Sequence, residues 1–190
     1  MNMKEKKAVK GQYGYIGRQR GWTVFRTVFL FGISLALFGI GIWSTGSKKN
    51  LLTVIAVLGC LPASKSAVNM IMFLKAKGCS KQVKEQVEKY GNSLTCLYDM
   101  VFTSYEKNYQ ISHMTIKGHV VCGYTEDGTC DVKACEKHLE GLLKQGGCRG
   151  VTVKVYDKLE AYCEGLGNLE KQDAEPLPEE ILVNLLAIAL

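Results

Sequence analysis

Apolar positions fall into two regimes along the chain. From Trp22 to Leu74 they form two long runs with few interruptions. After Ser80 they recur at helical or strand spacing, separated by polar turns. The first run, Thr27 to Trp43, holds 17 residues and no charge. At 1.5 Å per residue it covers roughly 26 Å, and extension back through Val24–Phe25 approaches the ~30 Å of a bilayer's hydrocarbon core. Trp22 and Trp43 stand at its ends, where indole rings favour the headgroup region. The polar stretch Ser44–Asn50 separates it from a second run, Leu51 to Leu74. The pattern predicts a transmembrane hairpin over 22–74, with spans at about 24–44 and 51–72.

Pro62, Lys65 and Asn69 interrupt the second run. Pro62 removes a backbone donor and favours a kink. Lys65 and Asn69 are four apart and share a helical face, and two readings stay open for them. Either Lys65 snorkels to an interface while the helix continues to Leu74, or the pair faces a partner helix or small polar cavity within the bilayer. Gly32, Ala36 and Gly39 form a stripe of small residues on the first helix. They either pack the two spans together or mediate self-association.

Beyond Ser80 the periodicities change. Ser80 can cap a helix reaching Tyr90, with Gly91–Asn92 as its stop. Leu94–Thr103, Tyr109–Ile116 and His119–Tyr124 read as strands, with a turn at Ser104–Asn108, a break near Gly118 and a closing turn at Glu126-Asp127-Gly128. Asp131 is the expected N-cap of a helix carrying Val132, Cys135, Leu139, Leu142 and Leu143 on one side. Val151, Val153 and Val155 alternate as a fourth strand. Asp157, with Glu160 three residues on, reads as a capping pair for the next helix. An acidic linker, Glu170–Glu175, leads to a terminal helix, Ile181–Leu190, opened by Pro178. The fold class expected is thus a membrane hairpin followed by a small α+β domain, ordered α-βββ-α-β-α-α with about four strands. The chain divides into a basic tail (1–21), the hairpin (22–74) and the domain (80–190). The terminal helix is too short to span a bilayer and apolar nearly all round. It should dock on the domain, on a partner through Leu182, Leu186 and Ile188, or on the membrane surface.

Charge sharpens this division. Residues 1–79 hold twelve Lys and Arg against one acid, Glu5, a net +11, while residues 80–190 hold twelve against seventeen, a net −5. Basic residues flank both outer ends of the hairpin, whereas the connecting turn carries only Lys48 and Lys49. The positive-inside bias places both chain ends in the cytoplasm of a multi-pass protein of the cell membrane. An acidic domain argues against nucleic acid as a partner. The apolar N-terminal run does not read as a cleaved signal, because a second span follows at once.

Eight cysteines are present. Cys60 lies in a span, which leaves an odd seven in the soluble part after the spans, counting Cys79, several at core-facing positions; this suits reduced thiols. No CxxC knuckle is present. Cys135 and His138 could share a ligand on one helix, but Cys135 also belongs to the apolar stripe. Cys130, beside the Asp131 cap, is a conceivable nucleophile with no base fixed beside it. No metal or cofactor is expected.

The helix, three-strand, helix, strand order resembles the core of the restriction-endonuclease-like nucleases. That resemblance implies an acid on one strand and Glu/Asp-x-Lys on the next. Thr115-Ile116-Lys117 keeps the lysine and lacks the acid, and Asp99 is the acid inside a strand. The overall organisation resembles small uncharacterised bacterial membrane proteins with a helical hairpin and a cytosolic α+β domain. The sequence therefore favours a membrane-anchored, non-enzymatic protein whose domain binds a protein partner or itself. The alternatives are an enzyme with a cryptic site (hydrolase or degenerate nuclease) and an accessory subunit of a membrane complex.

Overall fold

A computed structural model describes residues 9–46, 51–90, 94–105, 107–171 and 178–190. The polar turn 47–50, the helix stop at 91–92, most of the acidic linker and the first eight residues lie outside the described residues. The chain forms two compact units, Ile16–Ala76 and Met1–Tyr15 with Lys77–Leu190.

The first unit is built from two long apolar helices, α1 (Tyr15–Thr45) and α2 (Leu51–Lys75). Both are long and apolar enough to cross a membrane by length and composition. α1 starts well before the expected Val24. Gly14 takes a positive φ of 76°, and the turn from Tyr15 N to Gln12 O opens the helix there. Arg18, Gln19 and Arg20 then continue it as good helix formers, so the apolar window marks only part of the helix. α2 runs unbroken through Pro62, although Pro62 cannot donate to the Leu58 carbonyl.

Burial in this unit is inverted. Thr23, Thr27 and Ser34 of α1 and Ala56, Ala63 and Ser66 of α2 are buried, while Trp22, Phe25, Val28, Phe29, Leu35, Trp43, Val57, Leu58 and Leu61 are exposed. Small and hydroxylated side chains form most of the seam, and most large apolar ones point away from it, Ile16 and Phe73 being buried exceptions. The backbones come close at Gly59, where an added Cβ would lie 2.8 Å from Ser34 Oγ. The seam hydroxyls satisfy themselves locally: Thr27 Oγ1 donates to Thr23 O at 2.8 Å and Thr23 Oγ1 to Gln19 O at 2.9 Å.

The second unit holds a four-stranded sheet in the order β1-β2-β3-β4. Its strands are β1 (Thr95–Thr103), β2 (Asn108–Lys117), β3 (Val120–Tyr124) and β4 (Thr152–Tyr156), and its helices are α3 (Lys81–Val87), α4 (Val132–Gln145), α5 (Leu159–Glu170) and α6 (Glu179–Ile188). The first three strands form an antiparallel meander, and α4 carries the chain to β4, which pairs parallel to β3. The expected element order is the one found. Helices cover both faces: Leu139, Leu143, Ile181 and Leu185 of α4 and α6 pack on one core, and Val83, Val87, Tyr162 and Leu166 of α3 and α5 on the other.

Local chemistry explains most boundaries. Ser80 and Asp131 act as N-caps, accepting from Val83 N and Ala134 N. The expected Asp157 cap is not formed. Lys158 takes the N-cap position with no side-chain hydrogen bond, because the helix begins one residue later. The two-residue loop Gly118–His119 joins β2 to β3, and Gly118 supplies the φ of 54° such a turn requires.

Both sheet edges are covered. On β1, Tyr98 N donates to Gly11 O and Leu190 N to Val101 O, each at 2.8 Å. On β4, Val153 N and Val155 N donate to Glu140 and Glu136 of α4 at 3.3 and 2.8 Å. Unpaired edges invite association with other strands, and these contacts close them. Gly11 belongs to the stretch read from sequence as tail, so the compact unit includes residues before the helices as well as those after them.

Candidate functional site

Three contacts run in register along the antiparallel helices. Ser34 meets Gly59, Thr27 Oγ1 meets Ser66 Oγ at 2.9 Å, and Arg20 donates to Phe73 O at 3.3 Å and Ala76 O at 2.8 Å. Arg20 therefore caps the C-terminal carbonyls of α2. Arg26 Nε donates to Ser66 Oγ at 3.2 Å. This register sets Lys65 level with the Arg26–Val28 turn, at the basic end of the apolar band. Lys65 is exposed and Asn69 half-buried, and the polar residue that meets α1 is Ser66, between them. Gly32, Ala36 and Gly39 are exposed, and an added Cβ on Gly32 or Gly39 meets nothing within 4 Å. The seam uses a different face of α1.

In the second unit, Asp99 is the most unusual residue. It sits mid-strand, is 4% exposed, and has a φ of 56°. Successive strand residues alternate faces, so residues three apart point to opposite sides. Yet Leu97 and Met100 enter the same core, as do their partners Met114 and Ile111. The left-handed step at Asp99 accounts for the reversal on β1, and the register skips Asp99 and Ser112 at the same level. Asp is among the few residues that tolerate such a φ. Its Oδ1 accepts from Cys79 N at 2.7 Å, while Lys77 N donates to Gln110 Oε1 at 3.0 Å and Ser80 N to Glu126 Oε2 at 3.0 Å. Three side chains thus fix the segment 77–80 on the domain. Asp99→Ala removes the acceptor and strains the backbone, and should cost about 2 kcal/mol. Asp99→Asn keeps an acceptor and tolerates the φ, so it should cost about half as much. Denaturant melts of the full chain in detergent would check the ranking.

A second polar cluster lies under α5. His113 is fully buried, with Nδ1 2.6 Å from Tyr162 Oη, which also lies 3.1 Å from Thr115 Oγ1. Among the described residues, His113 Nε2 has no hydrogen-bond partner. The Tyr98 ring packs edge-on at 4.6 Å, and Tyr124 and Tyr156 pack on Tyr162. Burial pushes His113 down to about 4, so it stays neutral at physiological pH.

The sequence-level chemistry does not converge. Cys135 is buried in the first core, while His138 Nε2 lies 3.2 Å from Thr103 O beside the Tyr109 ring. Burial raises the Cys130 thiol, and it pushes Cys122 to about 11 and Cys79 to about 12, so these are poor nucleophiles. Lys117 donates to the Leu169 and Glu170 carbonyls at 2.7 and 3.1 Å, capping α5. Among the described residues, no group of three or more His, Cys, Asp or Glu could hold a metal. A groove of about 670 Å³ between α3 and α5 is lined by Lys89, Glu160, Glu164 and Lys171, all exposed, on the two helices or just past their ends. The eight cysteines form no disulfide. Denatured protein should titrate eight thiols and contain no stoichiometric zinc by elemental analysis; six thiols or one zinc per chain would contradict this.

Compared with protein-family models, curated proteins and solved structures, the chain matches none.

Sequence reasoning missed the Arg26–Thr27–Ser66 contact and the role of Asp99. A signal existed for each. Thr23, Thr27 and Ser34 repeat on one helical face, and an isolated acid inside an apolar strand needs a partner.

Proposed function

We propose that the chain is a membrane-anchored, non-enzymatic protein. α1 and α2 span the bilayer as a hairpin, both chain ends face the cytoplasm, and the α+β domain serves association with a protein partner or with copies of itself. One observation carries the membrane reading: the helices bury hydroxyls and expose aromatic and aliphatic side chains. In water that surface would be an exposed apolar patch far larger than monomers keep, and in lipid it is the surface required. The basic end formed by Arg18, Arg20, Arg26, Lys65 and Lys75 supports the cytoplasmic orientation.

The non-enzymatic reading is supported by how the reactive groups are used. Asp99 holds the 77–80 segment, His113 meets Tyr162, Lys117 caps α5, and the buried thiols are hard to ionise. These are structural engagements, and they leave the nuclease resemblance at the level of element order. Leu182, Leu186 and Ile188 pack against the domain's own core, so α6 offers a partner mainly Val183. Self-association finds its support in the exposed Gly32–Ala36–Gly39 stripe, where a second backbone can approach closely. Gly32→Leu with Gly39→Leu should lower intermolecular cross-linking in membranes severalfold and leave membrane retention intact. Unchanged cross-linking would remove the stripe from the interface. Alkaline carbonate extraction tests the anchor itself: the protein should stay in the membrane pellet, and release to the supernatant would overturn the membrane reading.

A further inference from the structure

We propose that Arg26 and Lys65 form a binding site for the phosphate of an anionic phospholipid headgroup. The inference rests on the membrane reading above and deepens it by naming the ligand. Residues 16–76 contain no Asp or Glu, so the cations of this unit have no carboxylate partner within it. Arg20 is committed to the carbonyls at the end of α2. Arg26 is held differently. Its Nε donates to Ser66 Oγ, and Ser66 is 1% exposed and fixed in turn by Thr27. A guanidinium carries five donors in a planar fork, so anchoring through Nε leaves the Nη groups for a further acceptor. Lys65 is adjacent to Ser66, exposed, and level with the same turn of α1.

The two cations therefore stand at the same level along the helices, at the edge of the apolar band. Trp22 lies one turn before Arg26 and is 56% exposed, with Phe25 6.0 Å away and Phe29 continuing the aromatic row. Indole marks headgroup depth, which is where a lipid phosphate sits. A zwitterionic lipid neutralises its phosphate with its own choline. An anionic lipid leaves that charge uncompensated, and it is the better counter-ion for a fixed guanidinium and an ammonium.

The protein supplies its own probes, because its two tryptophans, Trp22 and Trp43, lie at opposite ends of α1. The full chain would be reconstituted in phosphatidylcholine bilayers doped with brominated phosphatidylglycerol or, at the same fraction, brominated phosphatidylcholine. In Trp43→Phe, Trp22 should be quenched preferentially by the brominated phosphatidylglycerol, with an enrichment of about fivefold, the factor that ~1 kcal/mol represents. In Trp22→Phe, Trp43 should show a ratio near one. Arg26→Gln with Lys65→Gln should bring Trp22 to the ratio of Trp43, while the charge-preserving Arg26→Lys with Lys65→Arg should retain a preference. Equal ratios at the two tryptophans, or a preference surviving the glutamine pair, would overturn the proposal and leave the membrane reading intact. Absence of quenching by either lipid at both tryptophans would instead overturn the membrane reading, and the lipid site with it.

Discussion

Leu185→Asp should abolish the cooperative unfolding transition of the α+β domain. Leu185 is 0% exposed on the inner face of α6, beside Ile181 and the α4 residues Leu139 and Leu143. The substitution removes a buried aliphatic side chain and places a carboxylate among buried apolar side chains. The lost packing alone costs about 2–5 kcal/mol, and a buried unpaired carboxylate adds to it. Domains are stable by about 5–15 kcal/mol in total, so the fold should fail or become marginal. Val183→Asp is the control: Val183 lies two residues away and is 62% exposed, so it should shift stability by no more than about 0.5 kcal/mol. Near-ultraviolet circular dichroism of the full chain in detergent, read at the tyrosine bands, would follow the domain. Wild-type melting of Leu185→Asp would show that α6 is not part of the core. A fragment beginning at Ser80 is a poorer test, because it lacks Gly11 and the Lys10 Nζ bond to Ala189 O at 2.9 Å.

The second large effect is a pH dependence. His113 has its folded pKa lowered to about 4 by burial, against 6.5 when unfolded. The unfolded state therefore binds more protons between these values, and stability falls as pH falls through the window. Above about 6.5 the group contributes no pH dependence. Below about 4 the accumulated loss reaches its limit, roughly 3 kcal/mol at 1.36 kcal/mol per unit. His113→Gln keeps a polar group near Tyr162 without the titration. Whatever its own stability, its curve between pH 6.5 and 4 should be flatter than wild type by about that amount. Parallel curves would mean that His113 titrates as it does in the unfolded chain.

The strands and helices of the domain were legible because each rests on a local pattern. Ser80 and Asp131 lie where caps are needed, and Val153 and Val155 alternate because both enter one core. The long helices were legible from apolar length. What failed was reading the faces. In this helical pair the usual polarity is reversed, so the seam is marked by Thr23, Thr27 and Ser34, while Gly32, Ala36 and Gly39 point elsewhere. Nothing in the sequence pattern marks Glu136 and Glu140, and only the sheet shows that they cap the β4 edge. Asp99 could be recognised as anomalous, but a positive φ is a tertiary consequence that no pattern carries. Gly11 was unreadable for the same reason, since its bridge to Tyr98 joins distant parts of the chain.

The central claim, a membrane hairpin with a cytoplasmic domain, is tested most directly by thiol labelling in intact cells. Two single-Cys variants suffice, with the eight native cysteines replaced: Ser47→Cys in the segment between the helices and Tyr105→Cys at a fully exposed loop position of the domain. With a membrane-impermeant maleimide, Ser47→Cys should be labelled in intact cells, whereas Tyr105→Cys should be labelled only after permeabilisation. Labelling of Tyr105→Cys in intact cells, with Ser47→Cys protected, would contradict the orientation. Equal protection of both until permeabilisation would contradict the spanning hairpin.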